Sequence, residues 1–523
     1  MSCKKNMSFE ECELAILRSA VDKMDKKTGK NKINNPEIKQ IIDIVEDFLK
    51  STKRVCYGGT AINNILPIED QFYDKTVELP DYDFFSPDPL KDAKKLADIY
   101  YSAGFTEVEA KSGVHAGTFK VFVNFIPVAD ITYLVPELYK KIHNKAILVA
   151  GIYYTPPNYL RMLMYLELSR PAGDVSRWEK VLKRLTLLNK HYPLRGKMCH
   201  AEEIQRLFQY GTKKTLVKAK TVPKSKSKSR KSKSRSRFTI GGNRYKTVPE
   251  EFEEEEEFLQ DIEARIFVEV RNTLINQGCV FFGAFANRLY LRDLKNLKGK
   301  KIPQIPDFDV LSEDPETTTR ILKERLDDMG IKRVKVLKKK GVGEIIAPHY
   351  EVKVGPETIA FVYEPMACHS YNTITFANKK IRIATLDTML SFYLAFAYVN
   401  RPYYNENRIL CMSQFLFKVQ QNNRLKQTGL LKRFSIDCYG KQSTIEKMRE
   451  EKAEMYKKLK NKRNSKDYEW WFLRYIPAEL DKDYKPPKKG KKKTKRKTRK
   501  KTKRRKKRKT RKVGLLSRIL GTN

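Results

Sequence analysis

Hydrophobic positions along this chain follow a helical period of about 3.6 residues in some stretches and a strand period of about two in others. Ser8 and Glu11 frame the start of a helical run as a reciprocal N-terminal cap, and Pro36 suits the first turn of a second helix reaching Phe48. Residues 54–57 then read as a short strand entering Gly58-Gly59-Thr60, with a helix starting at residue 61. Further on, residues 79–85 are extended, 89–104 helical, 119–134 an alternating run rich in Val, Phe and Ile, and 159–192 a helical pair. The pattern predicts an α/β fold, a mixed sheet with helices beside it.

The same landmarks return in the same order in the second half. Val55-Cys56-Tyr57-Gly58-Gly59-Thr60 is echoed by Val280-Phe281-Phe282-Gly283-Ala284-Phe285. Pro80-Asp81-Tyr82-Asp83 and the following Ser86-Pro87-Asp88-Pro89 are echoed by Pro306-Asp307-Phe308-Asp309 and Ser312-Glu313-Asp314-Pro315. An ungapped alignment of 128–133 with 358–363 places Ala360 opposite Asp130, and a helix near 386–399 answers the one at Tyr159. A duplication follows, with a second copy that keeps Asp307 and Asp309 but replaces Gly59, Thr60 and the third acid, and so reads as a scaffold or RNA-binding module.

Composition changes this picture at two places. Of the formal net charge of +45, residues 218–237 supply ten Lys or Arg and residues 488–512 supply twenty, with no acid in either stretch. Such segments cannot bury apolar surface and are expected as a disordered linker and tail. The expected division is N-terminal helices at 1–50, a first module at 51–150 with a helical region at 151–215, a linker at 216–247, a degenerate second module at 248–380 with a helical region at 381–483, and a tail at 484–523. So basic a chain attracts polyanions by counterion release, nucleic acid being the commonest. The tail reads as sequence-independent RNA tether or as a targeting signal.

Eight scattered cysteines lack both the paired spacing of a zinc site and the density of a secreted scaffold. They are expected as incidental thiols in a reducing compartment, including Cys199 and Cys368, each followed by a histidine. No apolar run approaches the roughly 18 residues of a membrane span.

The candidate chemistry lies in three acids. Asp81 and Asp83, two apart in an extended segment, point to one face, and Asp130 sits in an otherwise apolar strand where a carboxylate is costly unless paired. Three converging carboxylates suit a pair of Mg²⁺ or Mn²⁺ ions able to activate a hydroxyl and neutralise a transferring phosphoryl group. Gly58 and Gly59 allow backbone N–H groups to approach a triphosphate at a helix start, with the Thr60 hydroxyl as an added donor. Softer candidates are Asn63 (ligand contact or helix cap), Lys120 (phosphate or solvent), and Lys180 and Arg184, which with Arg177 and Lys183 flank an apolar stripe and read equally as a solvated helix face. His115 reads as structural or exposed, and the cluster at Tyr468, Trp470, Trp471, Phe472 and Tyr475 as core packing ahead of base stacking.

A strand ending in Gly-Gly-Thr, then Asp81-Tyr82-Asp83, then a third acid in a strand resembles the polymerase-beta-type nucleotidyltransferases over residues 50–190. The helical pair, the degenerate second module and the basic charge are similar to poly(A) polymerase catalytic subunits of large cytoplasmic DNA viruses. That resemblance implies an α/β enzyme adding AMP from ATP to RNA 3′ ends in the host-cell cytoplasm, with Asp81, Asp83 and Asp130 holding two Mg²⁺ and Gly58, Gly59 and Thr60 on the phosphates. A homodimer or a viral processivity factor are the partners it brings into view, and no membrane. In one respect the chain departs from the pattern: twenty residues separate Thr60 from Asp81, more than the superfamily usually places there.

Overall fold

A computed structural model describes residues 7–33, 35–74, 78–197, 199, 207–208, 262–291, 305–376 and 378–480. The expected linker and tail lie outside these residues. The described residues from 7 to 478 form one compact unit.

The chain opens with α1 (Phe9–Ile33) and α2 (Pro36–Thr52). Ser8 and Glu11 cap α1 reciprocally, and Asn35 caps α2 by accepting from the Glu37 N–H. Ile38, Ile41, Val45, Phe48 and Leu49 make a buried stripe on α2, which packs on the first sheet through Phe48 against Phe84. The sheet is built from β1 (Val55–Cys56), β2 (Tyr82–Ser86), β3 (Val108–Ser112), β4 (Thr118–Val123), β5 (Ile126–Tyr133), β6 (Ile147–Val149) and β7 (Ile152–Tyr154). Between them run α3 (Gly58–Ile65), α4 (Pro89–Ser102) and α5 (Pro136–His143), and α6 (Pro157–Leu168) and α7 (Trp178–His191) follow as the helical pair. The single extended run expected over 119–134 is a hairpin. Asn124 and Phe125 both take positive φ, 48° and 65°, and reverse the chain without a glycine to signal the turn.

The second sheet contains β8 (Val280–Phe282), β9 (Phe308–Leu311), β10 (Val334–Lys339), β11 (His349–Val354), β12 (Glu357–Tyr363), β13 (His369–Phe376) and β14 (Lys379–Ala384), with α8 (Ile262–Asn276) before β8 in the chain and α9 (Gly283–Leu291) after it. Its spatial order, β10-β11-β12-β9-β8-β14-β13, repeats that of the first, β3-β4-β5-β2-β1-β7-β6. Every strand pair also keeps its sense, parallel for β2 with β5 and for β9 with β12, antiparallel for β1 with β2 and for β8 with β9. The repeated Ser-x-Asp-Pro has one local meaning in both copies. Ser86 and Ser312 accept from the N–H groups of Asp88 and Asp314, which cap α4 and α10 (Pro315–Asp328) ahead of a proline at the first turn.

Helix α6 packs against its counterpart α11 (Leu386–Phe396), which α12 (Glu406–Asn422) follows, so the two copies join through equivalent helices. Tyr159 meets Tyr398 edge-on at 5.0 Å, and Ser370 N–H donates to the Ser169 carbonyl. The C-terminal region is helical as expected at α13 (Ile445–Leu459) and α14 (Lys466–Phe472), yet Arg474–Tyr475 then adds an edge strand beside β3. Trp470 of the aromatic cluster packs on Phe119 and Tyr133, so it serves the core of the first module.

The reading of the cysteines as incidental thiols is overturned at Cys12, Cys199, Cys368, Cys411 and Cys438, each of which is disulfide-bonded. Cys199 bonds Cys411 and Cys368 bonds Cys438, across 212 and 70 residues of sequence. Pairs so distant leave no spacing signal; the fold alone juxtaposes them.

Candidate active site

Asp81 stands at the entry to β2 and Asp83 two residues on, the alternation that turns both toward one face. Parallel pairing of β2 with β5 sets Asp83 directly beside Asp130, and antiparallel pairing of β4 with β5 sets Lys120 on the far side of Asp130. The Lys120 ammonium donates to Asp130 Oδ2. Burial, reinforced by the charges of Asp81 and Asp130, pushes the Asp83 carboxyl up to about 7. Asp81 reaches solvent, yet partial desolvation and the charge of Asp130 raise it as well.

Three carboxylates against one ammonium leave excess negative charge on one face, and their oxygen donors fit Mg²⁺ or Mn²⁺. Among the described residues no three His, Cys, Asp or Glu side chains close into a ready cage. Lys120 holds the Asp130 corner.

The glycine turn is fastened to these acids. Gly58 has φ +74°, and a Cβ there would lie 2.6 Å from Asp83 Oδ2. Tyr57 N–H donates to the Asp83 carbonyl at 2.9 Å, and the buried Thr60 hydroxyl donates to the Asp81 carbonyl at 2.6 Å. Thr60 therefore locks Asp81 in place, and its proton is directed into the protein where the sequence pointed it at phosphate. Asn63 also departs from both of its sequence readings. Buried to 1% exposure, its carboxamide oxygen accepts from the N–H groups of Phe72 and Tyr73 at 2.8 and 2.9 Å, pinning the segment that spans the long gap between Thr60 and Asp81.

That segment delivers two residues no sequence signal marked. Arg184 of α7 donates to the Tyr73 hydroxyl at 2.7 Å, and its guanidinium lies 4.8 Å from the centre of the Phe72 ring. A Cβ on Gly59 would stand 3.0 Å from both terminal nitrogens of Arg184 and closer still to the Tyr73 oxygen. Arg184 thus sits against the opening turn of α3, and no acid pairs with it among the described residues. Lys180 is exposed one turn earlier on the same face, while Lys183 and Arg177 are paired with Glu179 and Glu167. Tyr57, also unmarked, stacks on Phe85 at 4.0 Å and shares a hydrogen bond with Thr132, two residues along β5 from Asp130.

The second copy differs by register. Pairing of β9 with β12 sets Asp309 beside Phe361, so Phe361 takes the place of Asp130, one residue on from the Ala360 of the ungapped alignment. Glu351, opposite Phe361 on β11, stands where Lys120 does. Gly283 again takes positive φ, +71°, against Asp309, but Phe361, Tyr363, Tyr393, Tyr403 and Tyr404 wall the pocket that holds Asp307 and Asp309.

Residues 43–174 match the poly(A) polymerase catalytic subunit family. The match contains all three acids and the glycine turn. A protein of African swine fever virus, provisionally named a poly(A) polymerase catalytic subunit, is 33% identical over 171 residues, which cover 32% of this chain and 36% of that relative. A protein of the same provisional name from Acanthamoeba polyphaga mimivirus is 36% identical over 165 residues, covering 30% of this chain and 27% of its own length. The chain therefore matches 36% of the length of the first relative and 27% of that of the second. The crystal structure of the Megavirus polyadenylate synthase shares the fold over 92% of this chain and 88% of its own, with a TM-score of 0.66 and 20% identity.

Proposed function

We propose that this chain adds AMP units from ATP to RNA 3′ ends without a template. The observation that carries the reading is the register pair Asp83 and Asp130, with Asp81 alongside, beneath a glycine turn flanked by Arg184, which pairs with no acid among the described residues.

Asp81, Asp83 and Asp130 would hold two Mg²⁺ or Mn²⁺ ions, which when bound supply charge neutralisation at the phosphoryl group and acidify the attacking hydroxyl. The chain's own groups do the rest. Arg184 and the N–H groups at the start of α3 grip the triphosphate, Arg184 as a fork on paired phosphate oxygens. Asp130 takes the proton of the RNA 3′-hydroxyl; that oxygen bonds to the α-phosphorus as the bond to the β-phosphate oxygen breaks, and pyrophosphate leaves with the electron pair. Lys180 extends the basic face of α7 and Lys120 places a further cation at the acids. Thr60 and Asn63 act one step back, on Asp81 and Tyr73.

Residues 51–150 are the catalytic module in this proposal and 248–380 its scaffold. Work in the host-cell cytoplasm, with processivity from a second copy or a separate viral factor, belongs to the same reading. Among the described residues no helix is long and apolar enough to cross a membrane.

The test is extension of a 5′-labelled RNA with each nucleoside triphosphate and Mg²⁺. Long ladders with ATP alone, abolished by Asp81→Ala with Asp83→Ala, support the reading. Preference for another nucleotide or no extension refutes it.

A further inference from the structure

Outside the acidic site, a pocket among the described residues opens beside the end of α12. It encloses ≈ 380 Å³, in the size range of small-molecule sites, and Gln420, Asn423, Arg424, Gln427, Arg433 and Phe434 supply most of its wall. From residue 418 to residue 436 the chain carries Lys418, Arg424, Lys426, Lys432 and Arg433 and no acid. Apolar side chains stand in the open within the same stretch, Leu425 at 89%, Ile436 at 80% and Phe434 at 38% exposure. Basic charge, amides and exposed apolar surface together are what an unstacked nucleotide requires: a ring for the base face, amides for its edge, cations for the phosphate.

The pocket is built rather than incidental. Arg433 is fixed by two nitrogens on the buried Asp387, at 2.9 and 3.0 Å, and its guanidinium lies 4.8 Å from the centre of the Phe434 ring, backing it. Gln427 accepts from the Arg433 N–H and donates to the Arg424 carbonyl, so the loop after α12 is closed on itself. Arg424 is exposed, and no acid pairs with it among the described residues. Phe434 reaches across to Trp178, ring centres 5.8 Å apart, at the start of α7 and six residues before Arg184. The pocket therefore borders the helix that flanks the acidic site.

We infer that this pocket binds one nucleotide of single-stranded RNA upstream of the 3′ end, with the base on Phe434 and its phosphate on Arg424. The inference rests on the RNA-extension reading above and extends it to primer recognition. A stretch without acids disfavours a basic partner, and the exposed ring and amides exceed what an acidic peptide needs.

The test compares full-length wild type with Phe434→Ala and Arg424→Glu, both exposed positions outside the acids and the arginine at the glycine turn. Binding of a fluorescein-labelled single-stranded RNA is followed without ATP, at raised salt, where the basic runs at 218–237 and 488–512 contribute least. Loss of one stacked base is worth about 1–3 kcal/mol, so Phe434→Ala raises Kd about five- to hundredfold with an unchanged salt slope. Arg424→Glu lowers the salt slope by about one. In extension assays both variants raise the KM for primer and leave the KM for ATP and the rate at saturating primer unchanged. Wild-type RNA affinity in both variants overturns the inference, even if the chain polymerises; so does bound RNA displaced more readily by poly-glutamate than by poly(A), which would mark a site for an acidic protein. A chain that extends no primer, yet loses RNA through Phe434→Ala, keeps the pocket and discards the polymerase.

Discussion

Gly59→Ala separates what the glycine turn does for folding from what it does for the reaction. The backbone at Gly59 is not in the left-handed region, so alanine meets no conformational penalty, and in a helix it is favoured over glycine by up to about 1 kcal/mol. The added methyl, however, falls onto the Tyr73 hydroxyl and 3.0 Å from both terminal nitrogens of Arg184. Those are flexible ends that can swing away, and swinging away takes the guanidinium off the start of α3. A hydrogen bond to a charged group is worth about 1.5–3 kcal/mol, which converts to a rise of about ten- to hundredfold in the KM for ATP. Gly58→Ala is the contrasting case. Its φ of +74° costs a non-glycine residue about 1–2 kcal/mol, and its Cβ meets the carboxylate of Asp83, a group held by a strand. Thermal unfolding and steady-state extension should therefore give a Gly59→Ala protein that melts as the wild type does but binds ATP poorly, and a Gly58→Ala protein impaired in both. A Gly59→Ala enzyme with a KM for ATP within twofold of wild type would refute the placement of Arg184 on the triphosphate.

Asp81→Asn with Asp83→Asn should abolish AMP incorporation while leaving the unfolding midpoint of the metal-free protein equal or higher, since it relieves buried like charge; a lower midpoint would mean that the acids serve the fold. His369 is fully buried and its pKa is pressed down to about 3 by burial and the charge of Arg170, so the folded state resists a proton that the unfolded chain accepts near 6.5. Its contribution to stability is whole above pH 6.5 and drains away as pH falls toward 3; midpoints measured across that window should fall less steeply for His369→Leu than for wild type. Removing residues 485–523 should weaken RNA binding and flatten its salt dependence without loss of incorporation on saturating primer, as filter binding and extension would report.

Much of this architecture was legible because its signals are local. The capping box at Ser8, Pro36 and the two Ser-x-Asp-Pro segments each act within one helical turn, and the repeated order of landmarks conveys the duplication before any contact is known. The acids were singled out by the alternation that sets Asp81 and Asp83 on one face and by the cost of a carboxylate such as Asp130 in an apolar strand. What stayed hidden depends on distant pairing. Whether Ala360 or Phe361 faces Asp309 is decided by strand register, and a shift of one residue in an ungapped alignment moves a side chain to the other face. Tyr73 reaches Arg184 only because Asn63 ties its loop to α3, a contact ten residues back and invisible in either sequence pattern. The disulfides and the strand Arg474–Tyr475 span still greater separations.

On the reading proposed above, the second copy lacks more than its third acid. Restoring that acid by Phe361→Asp would set three carboxylates on β9 and β12, since Asp307 and Asp309 are already there. It would do so inside a wall of tyrosines, where an aromatic-to-small change alone costs about 3–5 kcal/mol and a buried, unpaired carboxylate adds to that. The surroundings are wrong as well. Glu351 occupies the position of Lys120 and would repel the new acid, and Ala284 and Phe285 stand where Gly59 and Thr60 open and brace the turn. Phe361→Asp in a chain already carrying Asp81→Ala and Asp83→Ala should therefore be markedly less stable and incorporate no AMP. Recovery of ATP-dependent ladders in that triple variant would show that the second pocket is an active site lacking only one carboxylate, and would undo the division of labour drawn between the two copies.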